Sequence, residues 1–281
     1  ALSNDPLGNL DPQLTTEINF EASLRLARLA KQAGVERFVF SSSCSSYGAG
    51  GATLLDEEAP CFPVAPYGES KVRTDAELGK LADDRFSPVS MRNATAYGLS
   101  PRLRLDLVLN DFVATACATG CVSIKSDGLA WRPVVHVEDI CRAMLAVIEA
   151  PRSAIHNQAF NVGRTDENFQ IRDLADVVAR TVPACRVEYA SGGTSDPRCY
   201  RVNCDKLLRV LPGFRLQWNV SRGCGSSTRA SRPRALPATP SMACPSSGCA
   251  SCSICSRPVG STAPFAGGGT EEPAGVDTAG G

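Results

Sequence analysis

The run Val35-Glu36-Arg37-Phe38-Val39-Phe40-Ser41-Ser42-Ser43 decides the fold. Val35 to Phe40 reads as a buried strand, closed by the serines. Upstream, Leu24, Leu26, Ala27, Leu29, Ala30 and Ala33 favour a helix that starts at a Thr15 or Thr16 cap and ends at Gly34. Downstream, Pro66 is a good first-turn residue, so Tyr67-Gly68-Glu69-Ser70-Lys71 opens a second helix that continues through Leu78 and Leu81. Val89-Ser90-Met91-Arg92 is the next strand. Strand alternating with helix implies a parallel sheet covered on both faces.

The alternation continues beyond residue 100. Val134-Val135-His136-Val137 precedes an apolar helix, Ile140 to Glu149, stopped by Pro151. Ala159-Phe160-Asn161-Val162-Gly163 reads as strand and turn, Ile171 to Thr181 as a helix, Arg186 to Tyr189 as a short strand and Cys204 to Val210 as a short helix. After about Gly223 lysine is absent and Phe265 is the only aromatic residue. Such a segment buries too little apolar surface to offset its ordering entropy, so residues 223–281 read as a disordered tail.

With 281 residues, 43% of them hydrophobic, the chain can hold one large core or two small ones. Its 29 basic and 29 acidic residues balance, which gives no electrostatic reason to expect nucleic acid or a membrane surface as partner. No apolar stretch approaches the roughly 18 residues of a membrane span, and Ala1 to Asp11 lacks the regions of a signal peptide. The cytoplasm is the expected location. Of 13 cysteines, those before residue 220 stand singly among apolar neighbours and read as packing. Cys249-x-x-Cys252-x-x-Cys255, with Cys244 and Cys224 as further thiols, has suggestive ligand spacing, but the tail has no histidine and no paired Cys-x-x-Cys knuckles. No metal site is read there.

The chemistry concentrates where strand and helix meet. On a helix, Lys71 lies one turn beyond Tyr67 on the same face. A phenol ionises near pH 10, so its use as a base near pH 7 needs a close cation and a positioning hydroxyl. Lys71 and Ser43 are the right chemical types. Tyr-x-x-x-Lys by itself equally describes a surface tyrosine one turn from a solvated lysine; the order of strand, Ser-Ser-Ser-Cys-Ser-Ser-Tyr-Gly, acidic loop at Asp56-Glu57-Glu58 and Pro66-Tyr67-Gly68-Glu69-Ser70-Lys71 carries the signal. In this order the chain resembles the extended short-chain dehydrogenase/reductase family, especially NAD-dependent nucleotide-sugar epimerases.

That resemblance implies an α/β fold: a partial doubly wound, Rossmann-like parallel sheet over residues 1–100, with its first strands missing, and a smaller α/β substrate region over residues 101–222 into which some sheet elements return. Ser43, Tyr67 and Lys71 match the catalytic trio; Asn19, Tyr67, Lys71 and Ser3 would touch NAD. Arg92 to Gly98 resembles the stretch after the sixth strand, with Thr95 where asparagine is common. Thr95, Asn110, Arg132 and Asp196 would meet a nucleotide-diphosphate sugar, Arg132 through a planar fork that suits phosphate, with Arg198 as a second cation. The plainer reading of Asn110 and Arg132 is loop hydrogen bonding. His136 and Asp139 read as structural, Asp139 as a helix cap. The implied reaction is 4-epimerisation: tyrosinate takes the 4-hydroxyl proton, hydride passes to NAD, and the 4-keto sugar turns over before reduction. Ser43-Cys44-Ser45 argues against a 4,6-dehydratase and leaves epimerase or 4-keto-sugar reductase.

The chain departs from the family at both ends. No Gly-x-x-Gly-x-x-Gly turn precedes the first helix. Gly48-Ala49-Gly50-Gly51 is followed by Pro60 and Pro63 where a helix should open, so it is no substitute. Ala1 to Pro6 resembles the segment just after the family's fourth strand, which implies a fragment lacking on the order of 60 residues or more. A longer upstream reading frame encoding the glycine turn would support this. After Val220 the family continues into an amphipathic helix, whereas here low-complexity text suggests a shifted reading frame. A truncated, non-catalytic member is the alternative. A homodimer through helices 17–33 and 67–81 is also implied.

Overall fold

The computed structural model describes residues 1–231. Cys244, Cys249, Cys252 and Cys255 lie outside the described residues. Two short helices open the chain, α1 (Asp5–Leu10) and α2 (Pro12–Thr16), each capped by the side chain ahead of it. Asn4 Oδ1 accepts from Leu7 N at 2.8 Å and Asp11 Oδ1 from Leu14 N at 2.9 Å, with proline in each first turn. Thr15 and Thr16 are therefore not caps. They sit inside α2, their hydroxyls bonded back to Asp11 and Pro12 carbonyls. A π-helical turn, Glu17–Glu21, leads into α3 (Ala22–Gln32), which ends at Gly34 with φ +78°.

The strand β1 (Arg37–Ser43) includes the serines, because they stay in register with β3. It is followed by a 3₁₀ turn (Cys44–Tyr47), β2 (Leu54–Leu55), α4 (Pro66–Leu81), β3 (Ser87–Asn93), β4 (Thr95–Tyr97), α5 (Val108–Thr119), β5 (Cys121–Ser126), β6 (Trp131–His136), α6 (Val137–Glu149) and α7 (Arg152–Ile155). Then come β7 (Gln158–Val162), β8 (Asn168–Gln170), α8 (Ile171–Thr181), β9 (Arg186–Thr194), β10 (Arg201–Val202), α9 (Asp205–Val210) and α10 (Val220–Ser231). β1, β3 and β7 form a parallel sheet in that order, β4, β6 and β8 a second sheet, and β5–β9 and β10–β2 two parallel pairs. The alternating pattern thus gives the parallel α/β arrangement expected of it.

Alternation along β1 sets the two faces of the first sheet. Phe38 and Phe40 join Ala27 of α3 and Leu78 of α4, while Val39, with Val89 and Met91 of β3, joins Ala143 and Val147 of α6. Each fully buried side chain of this size contributes about 2 kcal/mol. A second cluster gathers Leu109 and Phe112 of α5, Val122 and Ile124 of β5, and Leu174 and Val178 of α8.

That second cluster also receives α10, which corrects the reading of residues 223–231 as tail. Val220 and Cys224, each 1% exposed, and Ser227 and Thr228 recur every three or four residues and bury one face of the helix. Small polar residues on that face hide the period. A Cβ on Gly223 would lie 2.3 Å from a Tyr97 ring carbon, so the helix approaches only with glycine there. Asp139 does not cap α6 either. His136 Nδ1 takes that role by accepting from Glu138 N, and the buried Asp139 carboxylate accepts from Gln217 N at 2.9 Å and Trp218 N at 2.9 Å, fixing the approach to α10.

Candidate active site

The parallel register that aligns Ser43 with Asn93 ends β1 and β3 side by side at the floor of a cleft of about 940 Å³. Ser3, Ser43, Tyr67, Thr95, Arg132 and Asp196 all line it. Lys71, Asn19 and Asn110 stand outside that lining.

Pro66 starts α4 one residue before Tyr67, and this fixes the phenol at the mouth of the helix. Burial pushes the Tyr67 phenol above its ordinary pKa, while a hydrogen bond with Ser43 pulls it back down; nearby Asp5 raises it further and Arg104 opposes. One turn on, Lys71 is buried, its Nζ 5.7 Å from the centre of the Tyr67 ring and 4.6 Å from that of Phe40. It donates to the Ser41 carbonyl at 2.7 Å. Burial pulls the ammonium down to about 8, so it remains mostly charged at neutral pH. The trio therefore shares one neighbourhood, with the lysine held against the strand rather than on the phenol.

Asn19 lies fully buried in the π-helical turn, a local widening that often accompanies functional sites. Its side-chain oxygen accepts from Leu2 N and its amide donates to Leu2 O, both at 2.8 Å. It thereby holds the segment bearing Ser3 beside the cleft. Asn110 accepts from Gly98 N at 2.9 Å and donates to Arg104 O at 3.0 Å, which ties the two ends of the 98–104 loop together.

The far wall is charged and internally paired. Arg132, 8% exposed, gives one guanidinium arm to Asp196 at 2.7 Å and the other to the carbonyls of Trp131 and Arg198. Asp196, its pKa held below the usual carboxylate range, also binds Arg198 at 2.9 Å. Arg198 in turn reaches Asp5 at 3.2 Å. Sequence reading misses Asp5 and Arg104. Arg104 donates to Ser3 Oγ at 3.0 Å and grips Asp106 with two nitrogens. No local spacing signals the Arg104–Ser3 or Asp5–Arg198 contacts, whose partners are 101 and 193 residues apart.

The residues present suit the nicotinamide-ribose end of a dinucleotide, where Tyr67 and Lys71 offer a hydroxyl and an ammonium. The glycine loop at residues 48–51 does not suit its pyrophosphate. A Cβ on Gly48 would lie 1.9 Å from the Phe62 carbonyl oxygen and one on Gly50 2.4 Å from Leu55 Cδ1, so this glycine loop is filled by the protein's own chain. Among the described residues it offers no open cradle.

Residues 1–163 match the model of the NAD dependent epimerase/dehydratase family. The UDP-glucose 4-epimerase of Azospirillum brasilense is 27% identical over 212 residues, 69% of this chain and 60% of that enzyme. The UDP-glucose 4-epimerase of Mycolicibacterium smegmatis is 30% identical over 218 residues, 76% of this chain and 68% of that one. Relatives at similar distance include a UDP-glucuronic acid decarboxylase and a dTDP-D-glucose 4,6-dehydratase. Among solved structures, MoeE5 in complex with UDP-glucuronic acid and NAD superposes with a TM-score of 0.65 at 26% identity, over 76% of this chain and 71% of that one. The chain thus spans between 60% and 71% of the length of these three proteins. Because the family match covers more than half of the 281 residues and carries the serine, tyrosine and lysine with it, this chain belongs to the NAD dependent epimerase/dehydratase family.

Proposed function

We propose that the cleft binds a nucleotide-diphosphate sugar and that the chain supplies the acid–base groups of an NAD-dependent 4-epimerisation through a 4-keto intermediate. The observation that carries this reading is a single cleft lined by Ser43 and Tyr67 on one side and by Thr95, Arg132 and Asp196 on the other.

The Tyr67 oxygen takes the proton of the sugar 4-hydroxyl and later returns it. Ser43, which lines the same cleft and pulls the phenol's proton affinity down, holds the same substrate oxygen. Because burial disfavours the phenolate, Lys71 must supply the compensating charge, and its ammonium stays protonated below about pH 8 to do so. NAD, when bound, supplies the acceptor and then the donor of hydride at the sugar C4. Tyr67 and Lys71 would hold its nicotinamide ribose, with Asn19 acting through the Ser3 segment. Arg132 and Asp196 frame the diphosphate side of the cleft.

One contact separates this reading from dehydration. Elimination needs an added acid and base beside Ser43, and the next residue, Cys44, turns away from the cleft. It is fully buried, its thiol donates to the Arg92 carbonyl, and burial pushes its pKa far up. A 4-keto-sugar reductase would use the same groups.

A second reading is a family member that binds without turnover. Calorimetric titration with UDP-glucose and with NAD separates the two, on this chain and on any upstream-extended form that its gene encodes. UDP-glucose binding with NAD binding supports the epimerase; UDP-glucose binding alone supports the binding-only member; binding of neither overturns both. We place the protein in the cytoplasm as a homodimer through 17–33 and 67–81. Leu26 and Leu29 of α3 are 59% and 55% exposed, which supports such pairing, and a monomer in sedimentation would refute it. Among the described residues no helix is long and apolar enough to cross a membrane.

A further inference from the structure

We infer that Asp75, one turn beyond Lys71 on α4, is a positioning residue for the Tyr67 and Lys71 pair, tying α4 to the end of β1 and setting the charge that faces the Lys71 ammonium. This role rests on the reading of Tyr67 and Lys71 as acid–base groups of an epimerase.

Lys71 and Asp75 are four residues apart on one helix and so share a face. Alternation along β1 puts Ser42 beneath that face with Phe38 and Phe40. Lys71 Nζ donates to the Ser41 carbonyl at 2.7 Å, and Ser42 Oγ donates to Asp75 Oδ2 at 3.1 Å. Two successive turns of α4 are thus tied to two successive residues of β1, and the next residue of that strand is Ser43. Tyr67 stands in the first turn of the same helix. Two ties one turn apart fix both the rotation and the height of α4, and with them the approach of Tyr67 to Ser43.

Asp75 also keeps charge to spare. Its side chain is 9% exposed, Oδ2 takes Arg92 Nε at 3.0 Å as well as the Ser42 hydroxyl, and Oδ1 is buried without a hydrogen-bond partner. Arg92 divides its guanidinium among Asp75, the Tyr47 hydroxyl and the Glu57 carbonyl. Part of the carboxylate's charge therefore stays uncompensated in a buried setting, where fields act most strongly. Burial pulls the Lys71 ammonium down to about 8, and Asp75 opposes that pull.

Other charged groups around α4 are directed elsewhere. Asp5 of α1 and Arg104 bear on Tyr67, and Arg92 of β3 faces Asp75 and Tyr47. Glu17 and Glu21 of the π-helical turn and Arg25 and Arg28 of α3 are exposed, and Lys31 pairs with Asp83. The Cys44 and Cys61 thiols beside Arg92 and Asp75 are held neutral by burial. Neither Asp75 nor Arg92 lines the cleft, so Asp75 acts through Lys71 rather than on substrate.

The test is an NMR titration of isotope-labelled lysine side chains in the full chain, where Lys71 is told from Lys31, Lys80, Lys125 and Lys206 by its loss in Lys71→Met. Asp75→Asn should lower the midpoint of the Lys71 titration by about one pH unit, and Asp75→Glu should restore most of it. Asp75→Asn leaves Arg92 buried without its carboxylate, so the double variant Asp75→Asn with Arg92→Met, which removes both charges, guards against loss of the fold. Lys71 should titrate below its wild-type midpoint there too. A carboxylate that served only to pair Arg92 would lower the unfolding midpoint in Asp75→Asn and leave the Lys71 titration in place in both variants, and that result overturns the inference. Conversion of UDP-galactose to UDP-glucose by the wild type separates the two claims. A shifted Lys71 titration without conversion would keep the coupling of Asp75 to Lys71 and overturn the epimerase reading, whereas conversion with an unshifted Lys71 would do the reverse.

Discussion

The two walls of the cleft are built on opposite electrostatic plans. On the wall formed by β1 and α4, the hydroxyls of Ser43 and Tyr67 face the cleft with the buried Lys71 ammonium behind them, resting on the Ser41 carbonyl, and little charge is paired. On the wall formed around β6 and residues 196–198, carboxylate and guanidinium alternate in one chain, Asp5 to Arg198 to Asp196 to Arg132. Burial on the first wall raises the proton affinity of the Tyr67 phenol and lowers that of the Lys71 ammonium, whereas pairing on the second fixes shape. A proton-transfer site needs groups whose ionisation is poorly compensated. A binding frame needs the reverse.

The largest effect should come from the first wall. Tyr67→Phe removes only the phenolic oxygen proposed to transfer the proton, and turnover of a UDP-sugar should fall about 10²–10⁴-fold with UDP-glucose affinity within about twofold of wild type. A phenylalanine variant that turns over normally would break the contrast, because the first wall would then hold no acid or base.

On the second wall the cost should appear as stability instead. Asp196→Ala leaves the buried Arg132 without its carboxylate and frees the Arg198 side chain, which should cost about 2–4 kcal/mol in urea unfolding. Loss of less than about 0.5 kcal/mol would show that the pairing is incidental.

The walls should also answer to different ends of the pH scale. Lys71 has a folded pKa near 8, below its unfolded value of 10.5, so the unfolded chain binds more protons between these limits and stability should rise as pH goes from about 8 to 10.5. Lys71→Met should flatten that arm. Asp196 and Asp106 are also shifted down, Asp106 to about 2, so their contribution is present above the ordinary carboxylate range near 4 and is lost as pH falls through the folded values. Unfolding midpoints across pH for wild type and Lys71→Met check both slopes.

The smallest effect sharpens the picture of the second wall. Asp5→Asn removes one of the two carboxylates that hold Arg198, and UDP affinity should rise about two- to threefold as that guanidinium gains freedom to meet an anion. An equal or larger fall would mean that Asp5 positions Arg198 for binding.

Legibility in the sequence divides along the same line. Tyr67 and Lys71 are one helical turn apart and Ser43 ends the adjacent strand, so local spacing places all three together. The paired wall joins residue 5 to residue 198 and residue 104 to residue 3, and no periodicity announces such partners. Asn19 and Asn110 are legible as residues of interest, yet their amides are spent on Leu2, Gly98 and Arg104 backbone. The caps at Asn4 and Asp11 lose out to Thr15 and Thr16 in the sequence because a hydrophobic period locates a helix better than it locates the first turn. α10 escapes when composition is weighed over spacing, although Val220, Cys224, Ser227 and Thr228 carry a helical interval.

The most direct measurement is conversion of UDP-galactose to UDP-glucose by the wild-type chain and by Tyr67→Phe, with NAD supplied and both proteins shown to share one unfolding midpoint. The account predicts conversion by the wild type and its loss in the variant. Absence of conversion by the wild type despite bound UDP-glucose and NAD, or equal conversion by both proteins, would contradict it.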